Sequence, residues 1–439
     1  MDWTEQSKEW LLDKLAPNGD LELRTLGRGG GLQIELLFIR SICDAEFIRK
    51  QLIEPYFQMK TDQEYEDYLL AFPGAYSAKN NVDTLMKLTS GYAVITLGDH
   101  MLVFNAIQVK ASALSEASVE STLLGPQTAF SEHIDTNLNI VRLRYRQSSL
   151  KTENFDIGRL TQTRVCLLYD DKLVDQGALL RVRQCLDQID VDTLQSAGEL
   201  HRLMTKNSYT LFPVYLSTER PDRTIINISQ GKIVLMVEGT PFVLLLPAVF
   251  FEFYSAMDDL YQLPVVRYFL KLLRYIALFT SILLPGAYVA LTAYNPEIFR
   301  VQLAMSIAGS RASVPYPAYV EVIFMLVMME LLLEASIRLP KSVGSTATTV
   351  GGLILGQAAT QAGLISTIMI IIVSTVAICN FVVPINTMSF AMRVVKYPLV
   401  LLASLFGVVG LVIGFVGLIG YLASLRSFGK PYLRIFWKN

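Results

Sequence analysis

The sequence predicts a multi-pass α-helical membrane protein with N-terminal soluble α/β domains, about 4–5 spans and a possible re-entrant segment. Of the 439 residues, 52% are hydrophobic and only 18% are charged, whereas about a quarter of a soluble protein is charged. The charge is also unevenly placed. All three histidines and most charged residues precede residue 240, and apolar segments follow.

The beginning of the chain indicates that its front half stays in the cytoplasm. Residues 1–20 are acidic and polar, without the basic and apolar regions of a signal peptide. Four scattered cysteines form no CxxC pair, so we expect them to be small buried residues. The net charge of −1 lacks the basic surplus of a nucleic-acid binder, so we expect no nucleic-acid partner.

Residues 1–110 are predicted to form a first α/β domain. Two strand-like runs, "LELRTL" and "LQIELLFI", flank "GRGGG" and suggest a hairpin. Helical spacing follows in "SICDAEFIRKQLIEPYF". The text "YAVITLGDHMLVFNAIQV" then predicts two strands around a Gly98-Asp99 turn.

A linker and connecting helix over 111–147 lead to a second α/β domain over 148–239. "TRVCLLYD" predicts a buried strand, and residues 172–189 predict an amphipathic helix. Asp192 is a candidate N-cap for the next helix. "TIINISQGKIVLMVEG" is interpreted as a hairpin that turns at Gln230-Gly231.

The remaining chain is divided into an interfacial segment, a membrane domain and a basic tail. Residues 240–265 are aromatic but interrupted by Pro247, which favours an interfacial segment. The membrane domain is predicted over 266–425, and the tail over 426–439. Its predicted spans are 268–294, 318–337, 364–383 and 398–424, and 343–363 is either a fifth span or a re-entrant segment.

Basic residues give an ambiguous topology. Clusters precede the first span, follow the span at 318–337 and follow the last span. All three face the cytoplasm if 343–363 enters and leaves on that side, but Arg393 and Lys396 then fall outside. If 343–363 spans, the C-terminal cluster lies outside instead.

Three carboxylates in the predicted span at 318–337 are the candidate ion-pathway residues. Glu330 and Glu334 lie about 40° apart on one helix face, whereas Glu321 lies about 180° from Glu330. A carboxylate inside a membrane must face protein or water. In a symmetric oligomer each becomes a ring that selects cations. Structural alternatives remain, since Glu321 can be solvated and Glu334 can pair with Arg338.

Small residues predict close helix packing, with a pore lining as the alternative. In one stripe they recur every four positions, at Gly344, Thr348, Gly352, Gly356 and Thr360. In a second stripe they recur every three or four positions, at Gly407, Gly410, Gly414 and Gly417. Gln357 lies within 343–363 and is a further candidate for the ion pathway. Pro285 and Gly286 can bend the first span, and Asn380 requires a polar partner.

The sequence contains no recognisable catalytic or metal-binding motif. HExxH and GxSxG are absent, and "GRGGG" is not followed by the GK[ST] of a phosphate loop. Lone histidines such as His133 and His201 are best interpreted as surface or packed residues. We therefore expect no enzyme activity, no cofactor and no metal.

Several segments together resemble the A subunits of bacterial spore germinant receptors, the GerA family. The resemblance covers roughly 85–435. It rests on "GPQTAFSEHIDTN", "STERPDR", "EGTPF", "RYIALFTSILLPGAYVALTAYNPE", "VPYPAYVEVIFMLVMMELLLEASIRLPKSVG", "GGLILGQAA" and "SLRSFGKPY".

The resemblance implies a multi-pass protein of the spore inner membrane, in contact with membrane lipid, with its N-terminal domains in the spore core. It also implies a homo-oligomer, a pentamer, that acts as a nutrient-gated cation channel. The partners it implies are a transporter-like B subunit and a lipoprotein C subunit. An accessory spore channel, a non-conducting scaffold subunit and a secondary transporter subunit remain as alternatives.

Overall fold

A computed structural model describes residues 3–27, 34–78, 80–98, 100–108, 115–120, 122, 124–205, 210–339, 351–354 and 356–434. Two five-stranded antiparallel sheets form the front half, and long apolar helices form most of the back half. The predicted combination of α/β domains with an apolar helical region is therefore present.

The first sheet has the strand order β1-β2-β4-β5-β3. Its strands are β1 (Leu21–Leu26), β2 (Ile34–Ile39), β3 (Tyr76–Ser77), β4 (Tyr92–Leu97) and β5 (His100–Asn105). The predicted pairing of β1 with β2 is confirmed, with Leu26 opposite Ile34. Residues 28–33 of that connection lie outside the described part. The pairing of β4 with β5 is also as predicted. A short antiparallel pair, β6 (Ser115–Glu116) with β7 (Thr128–Ala129), comes next in the chain.

Helices cover both faces of the first sheet. Trp3–Leu15 and Asn81–Thr89 lie on one face. Ala45–Phe47, Ile48–Ile53, Glu54–Gln58 and Asp62–Ala71 lie on the other. Because β2 is covered on both faces, its sequence is an almost continuous run of apolar residues rather than an alternation of apolar and polar ones.

The second sheet extends beyond the boundary predicted at residue 239. Its order is β10-β12-β11-β9-β8, from β8 (Leu150–Ile157), β9 (Thr163–Asp170), β10 (Leu216–Thr218), β11 (Ile233–Val237) and β12 (Val243–Leu246). Strand β12 lies between β10 and β11, with all four residues buried. A strand that is buried on both faces has a continuously apolar sequence, and such a sequence resembles that of a segment at a membrane interface.

Two local predictions in this domain were wrong. The helix expected after Asp192 begins at Ala197 and is capped by Ser196, whose hydroxyl accepts from the Glu199 N–H at 3.2 Å. The expected hairpin around Gln230 is instead a helix, Pro221–Ser229, followed by β11. Proline at the first helical position favours this start, whereas the β-branched residues in "TIINIS" suggested a strand.

The second sheet joins the two halves of the molecule. One face is covered by the helices Ile134–Arg144 and Pro221–Ser229, and its core continues into the long helices through Phe250, Phe253 and Tyr254. The other face is covered by Gln176–Asp187 and Ala197–Met204. One continuous apolar core therefore connects this sheet to the helical region.

Four long segments form most of the helical region. We call them the entry helix (Pro264–Ala293), the glutamate helix (Ala318–Arg338), the serine-capped helix (Thr367–Phe381) and the terminal segment (Asn386–Ser424). A shorter helix, Val301–Arg311, follows the entry helix. By length and composition, only the entry helix and the terminal segment suffice to cross a membrane among the described residues. The predicted four to five spans are therefore not established.

The segment 343–363 is only partly described. Residues 351–354 and 356–361 are helical. Residues 340–350 and 355 lie outside the described part, so the alternatives of a span and a re-entrant segment stay a prediction.

The terminal segment is a helical hairpin rather than the single span predicted over 398–424. Gly407 breaks the helix with φ 59° and ψ −140°. A Cβ added at Gly410 would lie 2.1 Å from the Leu402 carbonyl oxygen, and one at Gly414 would lie 2.7 Å from Leu399 Cδ2. Residues 15 apart in a straight helix are about 22 Å apart. The two limbs must therefore fold back on each other at Gly407.

The hairpin returns the chain to the second α/β domain. Strands β13 (Arg426–Ser427) and β14 (Lys430–Pro431) follow it. The Ser427 hydroxyl donates to the Val214 carbonyl at 2.5 Å, and the Tyr432 hydroxyl donates to the Pro213 carbonyl at 2.8 Å. The start of the entry helix and the C-terminal strands therefore lie at the same end of the helical region.

Candidate functional site

The glutamate helix holds the three candidate carboxylates on an apolar frame. Pro317 precedes its first residue, which suits a helix start, and Arg338 is its last residue. Val322 and Leu326 are fully buried and pack in one core cluster with Val373 and Val376 of the serine-capped helix. Apolar packing therefore sets the position of the glutamate helix. That position determines which polar groups its carboxylates can reach.

Glu330 is held by two cations from the first limb of the hairpin. Its Oε1 accepts from Lys396 Nζ at 2.9 Å, and its Oε2 accepts from Arg393 Nε at 2.7 Å and from Arg393 Nη2. The Lys396 side chain is fully buried, and the side chains of Arg393 and Glu330 are 13% and 22% exposed. Removing charge from water is costly, so the three groups stabilise one another.

The charges of this cluster sum to +1, so Glu330 is not an unpaired carboxylate within one chain. In one of the two topologies that the sequence left open, Arg393 and Lys396 lay on the side opposite the cytoplasm. Both side chains pack against the glutamate helix. The sequence did contain a feature that could have indicated this contact. Two cations three residues apart in an apolar helical segment require an acidic partner. The partner itself lies 63 and 66 residues away in sequence.

Glu321 is enclosed rather than solvated, so that alternative was wrong. It is 1% exposed, and its Oε1 accepts from the Ser366 N–H at 2.5 Å and from the Ser366 hydroxyl at 2.6 Å. Ser366 is the N-cap of the serine-capped helix. A carboxylate is stabilised at a helix N-terminus by the helix dipole. The geometry assigns Glu321 a role in joining two helices.

A second polar group lies beside Glu321. Arg311 Nε lies 3.6 Å from Glu321 Oε2, too far for a hydrogen bond. Among the described residues, neither of these atoms nor the Tyr288 hydroxyl has a hydrogen-bond partner. Buried polar atoms without partners are uncommon, so this corner is a place where bound water can enter.

Glu334 and Gln357 lie on the surface of the single chain. Glu334 accepts from Arg338 Nη2 at 2.7 Å, which confirms the predicted pairing four residues apart. Both side chains are more than half exposed, so this pair contributes little to stability. Gln357 is also exposed. Neither Glu334 nor Gln357 is brought together with Glu330 by a contact within the described residues.

The small-residue positions serve packing to different extents. Gly286 faces Leu411 and Leu399 closely, since an added Cβ would lie 2.8 Å from Leu411 Cδ1. Pro285 is buried beside it, and the entry helix continues through both. Gly352 and Gly356 have only ordinary contacts, at 3.9 Å. An added Cβ at Gly417 meets nothing, and Gly344 lies outside the described residues.

Asn380 has the polar partner that the sequence required. Its Oδ1 accepts from the Ser281 hydroxyl at 2.5 Å, and its carbonyl accepts from the Ser389 hydroxyl at 3.1 Å. These bonds join the serine-capped helix to the entry helix and to the hairpin.

Charged contacts also tie the helices to the second α/β domain. Asp259, just before the entry helix, accepts from Arg274 Nη1 at 2.5 Å. Lys232 donates to Glu252 at 2.5 Å, and Lys430 of β14 pairs with Asp175. Burial lowers the pKa of Lys232, although Glu252 opposes that shift. The hydrogen bond from Lys430 lowers the pKa of Asp175.

Metal binding finds no support in the described part of the chain. No group of three or more histidine, cysteine, aspartate or glutamate side chains is close enough there to hold an ion.

Comparison with known proteins identifies the family. A family model described as "Bacillus/Clostridium GerA spore germination protein" matches residues 9–439. "Spore germination protein KA" of Bacillus subtilis (strain 168) is 32% identical over 416 residues, covering 93% of this chain and 76% of that protein. "Uncharacterized membrane protein YfkQ" of the same organism is 32% identical over 421 residues, covering 94% and 82%.

One solved structure is also similar, that of the N-terminal domain of the A subunit of the Bacillus megaterium spore germinant receptor GerK3. It is 26% identical, has a TM-score of 0.43, and covers 57% of this chain and 96% of that chain. The family match, which extends over almost the whole chain, decides the identity. The chain belongs to the GerA family of spore germination proteins.

Proposed function

We propose that this chain is the A subunit of a nutrient germinant receptor and forms a homo-oligomeric cation channel in the spore inner membrane. The proposed oligomer is a pentamer, assembled with a transporter-like B subunit and a lipoprotein C subunit. Its α/β domains would lie in the spore core, where they act as assembly and gating elements.

The exposed surface of the helices supports a membrane location. Large apolar side chains are exposed along the entry helix, the serine-capped helix and the hairpin, among them Phe269, Ile371, Leu405, Val409 and Ile413. Large apolar side chains exposed on several long helices are typical of contact with lipid or with other membrane subunits. One relative is itself described as a membrane protein.

The charge cluster of Glu330, Arg393 and Lys396 is the observation that carries the channel proposal. Ionisable groups between apolar membrane helices are costly and mark ion or proton pathways in membrane proteins. Here three such groups converge on one point of contact between two helices. A rearrangement that separates Glu330 from its cations would release a carboxylate toward a path through the oligomer.

The geometry orders the candidate residues for ion passage. Glu330 comes first, because it is charged, partly exposed and contacted by two cations of another helix. Glu334 and Gln357 come next, because both are exposed on the single chain and become available to a neighbouring subunit. Glu321 comes last, because Ser366 and burial enclose it.

The test is cation flux through liposomes that contain the purified oligomer with its B and C subunits. Glu330→Gln alone leaves two unpaired cations, so the informative variant is Glu330→Gln with Lys396→Gln, which keeps the charge of the cluster at +1. Lys396→Gln alone is the matched control. We expect the double variant to slow cation flux relative to both wild type and the control. No cation flux from the verified complex with nutrient present would overturn the proposal.

A non-conducting scaffold is the second candidate, and one observation favours it. Because Glu330 is compensated by two cations, the cluster can also serve only to fasten two helices. A scaffold predicts equal flux in wild type and the double variant, with any residual flux carried by other subunits.

A further inference from the structure

Two neighbouring cavities lie where the second α/β domain contacts the helices. One, of about 440 Å³, is lined by polar and charged residues of the domain and of the first turns of the entry helix. The other, of about 390 Å³, has an entirely apolar surface and lies between the entry helix and the hairpin. Phe251 belongs to the wall of both, so the cavities adjoin.

The polar cavity is lined by two cations that form no salt bridge with the acidic groups of the described residues. Arg267 and Lys271 lie one helical turn apart and both line it, and neither forms a salt bridge within the described residues. The other charges in the wall are already paired: Arg223 with Glu120, Glu252 with Lys232, and Asp259 with Arg274. The unpaired charge facing this cavity is therefore positive, which suits a phosphate group.

Asp259 adds a second requirement on the ligand. It is 4% exposed, and its Oδ2 accepts from Arg274, whereas its Oδ1 has no hydrogen-bond partner among the residues described here. A buried carboxylate oxygen without a partner favours a ligand that donates a hydrogen bond. The cavity thus combines an anion site with a site for a donor.

The apolar cavity continues the same face of the entry helix. After Arg267 and Lys271 this face carries Tyr275, Leu278 and Ile282, which line the apolar cavity. Residues at this spacing lie on one side of a helix. From Arg267 to Ile282 the helix rises about 22 Å, close to half of a bilayer of about 40–45 Å. The face changes from cationic to apolar over the length of one lipid leaflet.

We propose that these cavities hold one phospholipid, with its phosphate on Arg267 and Lys271 and an acyl chain in the apolar cavity. A headgroup hydroxyl or ammonium donates to Asp259 Oδ1. The proposal rests on the membrane location proposed above. Free phosphate would fill only the cationic part, and a lipid explains the adjoining apolar cavity as well.

Native mass spectrometry of the detergent-purified full-length protein tests this site. The probes are phosphatidylglycerol and phosphatidylethanolamine, which carry headgroup donors, phosphatidylcholine, which carries none, and inorganic phosphate. We expect one tightly held adduct of either donor lipid, weaker binding of phosphatidylcholine, and no displacement by inorganic phosphate. Displacement of the lipid by inorganic phosphate, or equal binding of all three lipids, would overturn the assignment. A protein that remains soluble without detergent instead refutes the membrane location.

Two variants separate the parts of the site. Arg267→Gln with Lys271→Gln should lower lipid binding by about tenfold or more, because both basic contacts to the lipid phosphate are lost. Leu418→Trp should also reduce binding, because it fills the apolar cavity while the cations stay in place. Arg300→Gln removes an exposed arginine beyond the opposite end of the entry helix and is the matched control. An equal loss of binding in this control would show that lipid binding depends on the total positive charge of the protein rather than on these two residues. That result would contradict the site.

Discussion

At the residue scale, the carboxylates of the glutamate helix differ in how far along the chain their cationic partners lie, since Glu334 pairs within its own helix and Glu330 pairs with another one. The Glu334–Arg338 pair was predictable because residues four apart are neighbours on a helix. The partners of Glu330 were not, because Arg393 and Lys396 come from another helix more than 60 residues away. Spacing within one helix shows that a buried carboxylate needs a partner, and only the packing of helices shows which residue supplies it.

The Glu330 cluster makes a prediction about stability. Glu330→Gln leaves Lys396 fully buried without its carboxylate, which should cost about 2–3 kcal/mol. The partial exposure of Glu330 sets this below the value for a fully enclosed pair. Thermal unfolding in detergent should show a melting temperature several degrees below wild type. The combined Glu330→Gln and Lys396→Gln variant should recover part of the loss. A single variant as stable as wild type would show that water already screens the cluster.

His201 predicts a pH dependence of stability in the second α/β domain. Burial lowers its pKa to about 4, and its ring lies against Tyr215 with centroids 3.4 Å apart. In the unfolded chain the pKa is about 6.5. The unfolded state therefore binds more protons between pH 6.5 and 4, so stability falls as pH falls through this window, by up to about 3 kcal/mol.

The measurement is the melting temperature of the full-length protein between pH 7.5 and 5. His201→Gln should flatten this dependence relative to wild type. His100→Gln, whose histidine is exposed in the first domain, is the matched control. An unchanged slope in the His201 variant would contradict the role assigned to burial.

At the element scale, the apolar segments of the sequence indicated where the helices lie more accurately than how many times the chain crosses the membrane. Spans predicted at 268–294 and 318–337 correspond to Pro264–Ala293 and Ala318–Arg338. The segment 398–424 was interpreted as one span because it is apolar on both sides of Gly407. A turn that needs only one glycine has no polar loop to mark it, so hydropathy does not detect the hairpin.

Gly407 is the glycine at which the hairpin turns, and its backbone conformation resists replacement. Its φ of 59° with ψ of −140° is close to a region that only glycine adopts readily, and an added Cβ would lie 3.0 Å from Tyr294. Gly407→Ala should therefore cost about 1–3 kcal/mol. Gly417→Ala is the control, because an added Cβ there meets nothing and alanine favours a helix. Equal melting temperatures for the two variants would contradict the hairpin turn.

At the scale of the whole molecule, the two ends of the helical region are fixed to the same domain. The entry helix begins beside the second sheet, and β13 and β14 return to that sheet's edge through Ser427 and Tyr432. The sequence allowed this arrangement only if 343–363 entered and left the membrane on one side. The hairpin at Gly407 also returns the C-terminal strands to this domain, without a re-entrant segment. Only contacts between residues far apart in sequence reveal this hairpin. A movement of the domain can therefore act on both ends of the helical region.

This arrangement predicts that the C-terminal strands and the first α/β domain face the same compartment, with the connection after the entry helix on the other side. Single cysteines at Lys60, Arg426 and Glu297, all exposed, can be introduced after the four native cysteines are replaced. In sealed vesicles a membrane-impermeant maleimide should label positions 60 and 426 from one side. Position 297 should react from the other side, because the 30-residue entry helix rises about 45 Å between them. Labelling of 426 together with 297 would mean that the terminal segment crosses once, and the contacts that join it to the domain would then be wrong.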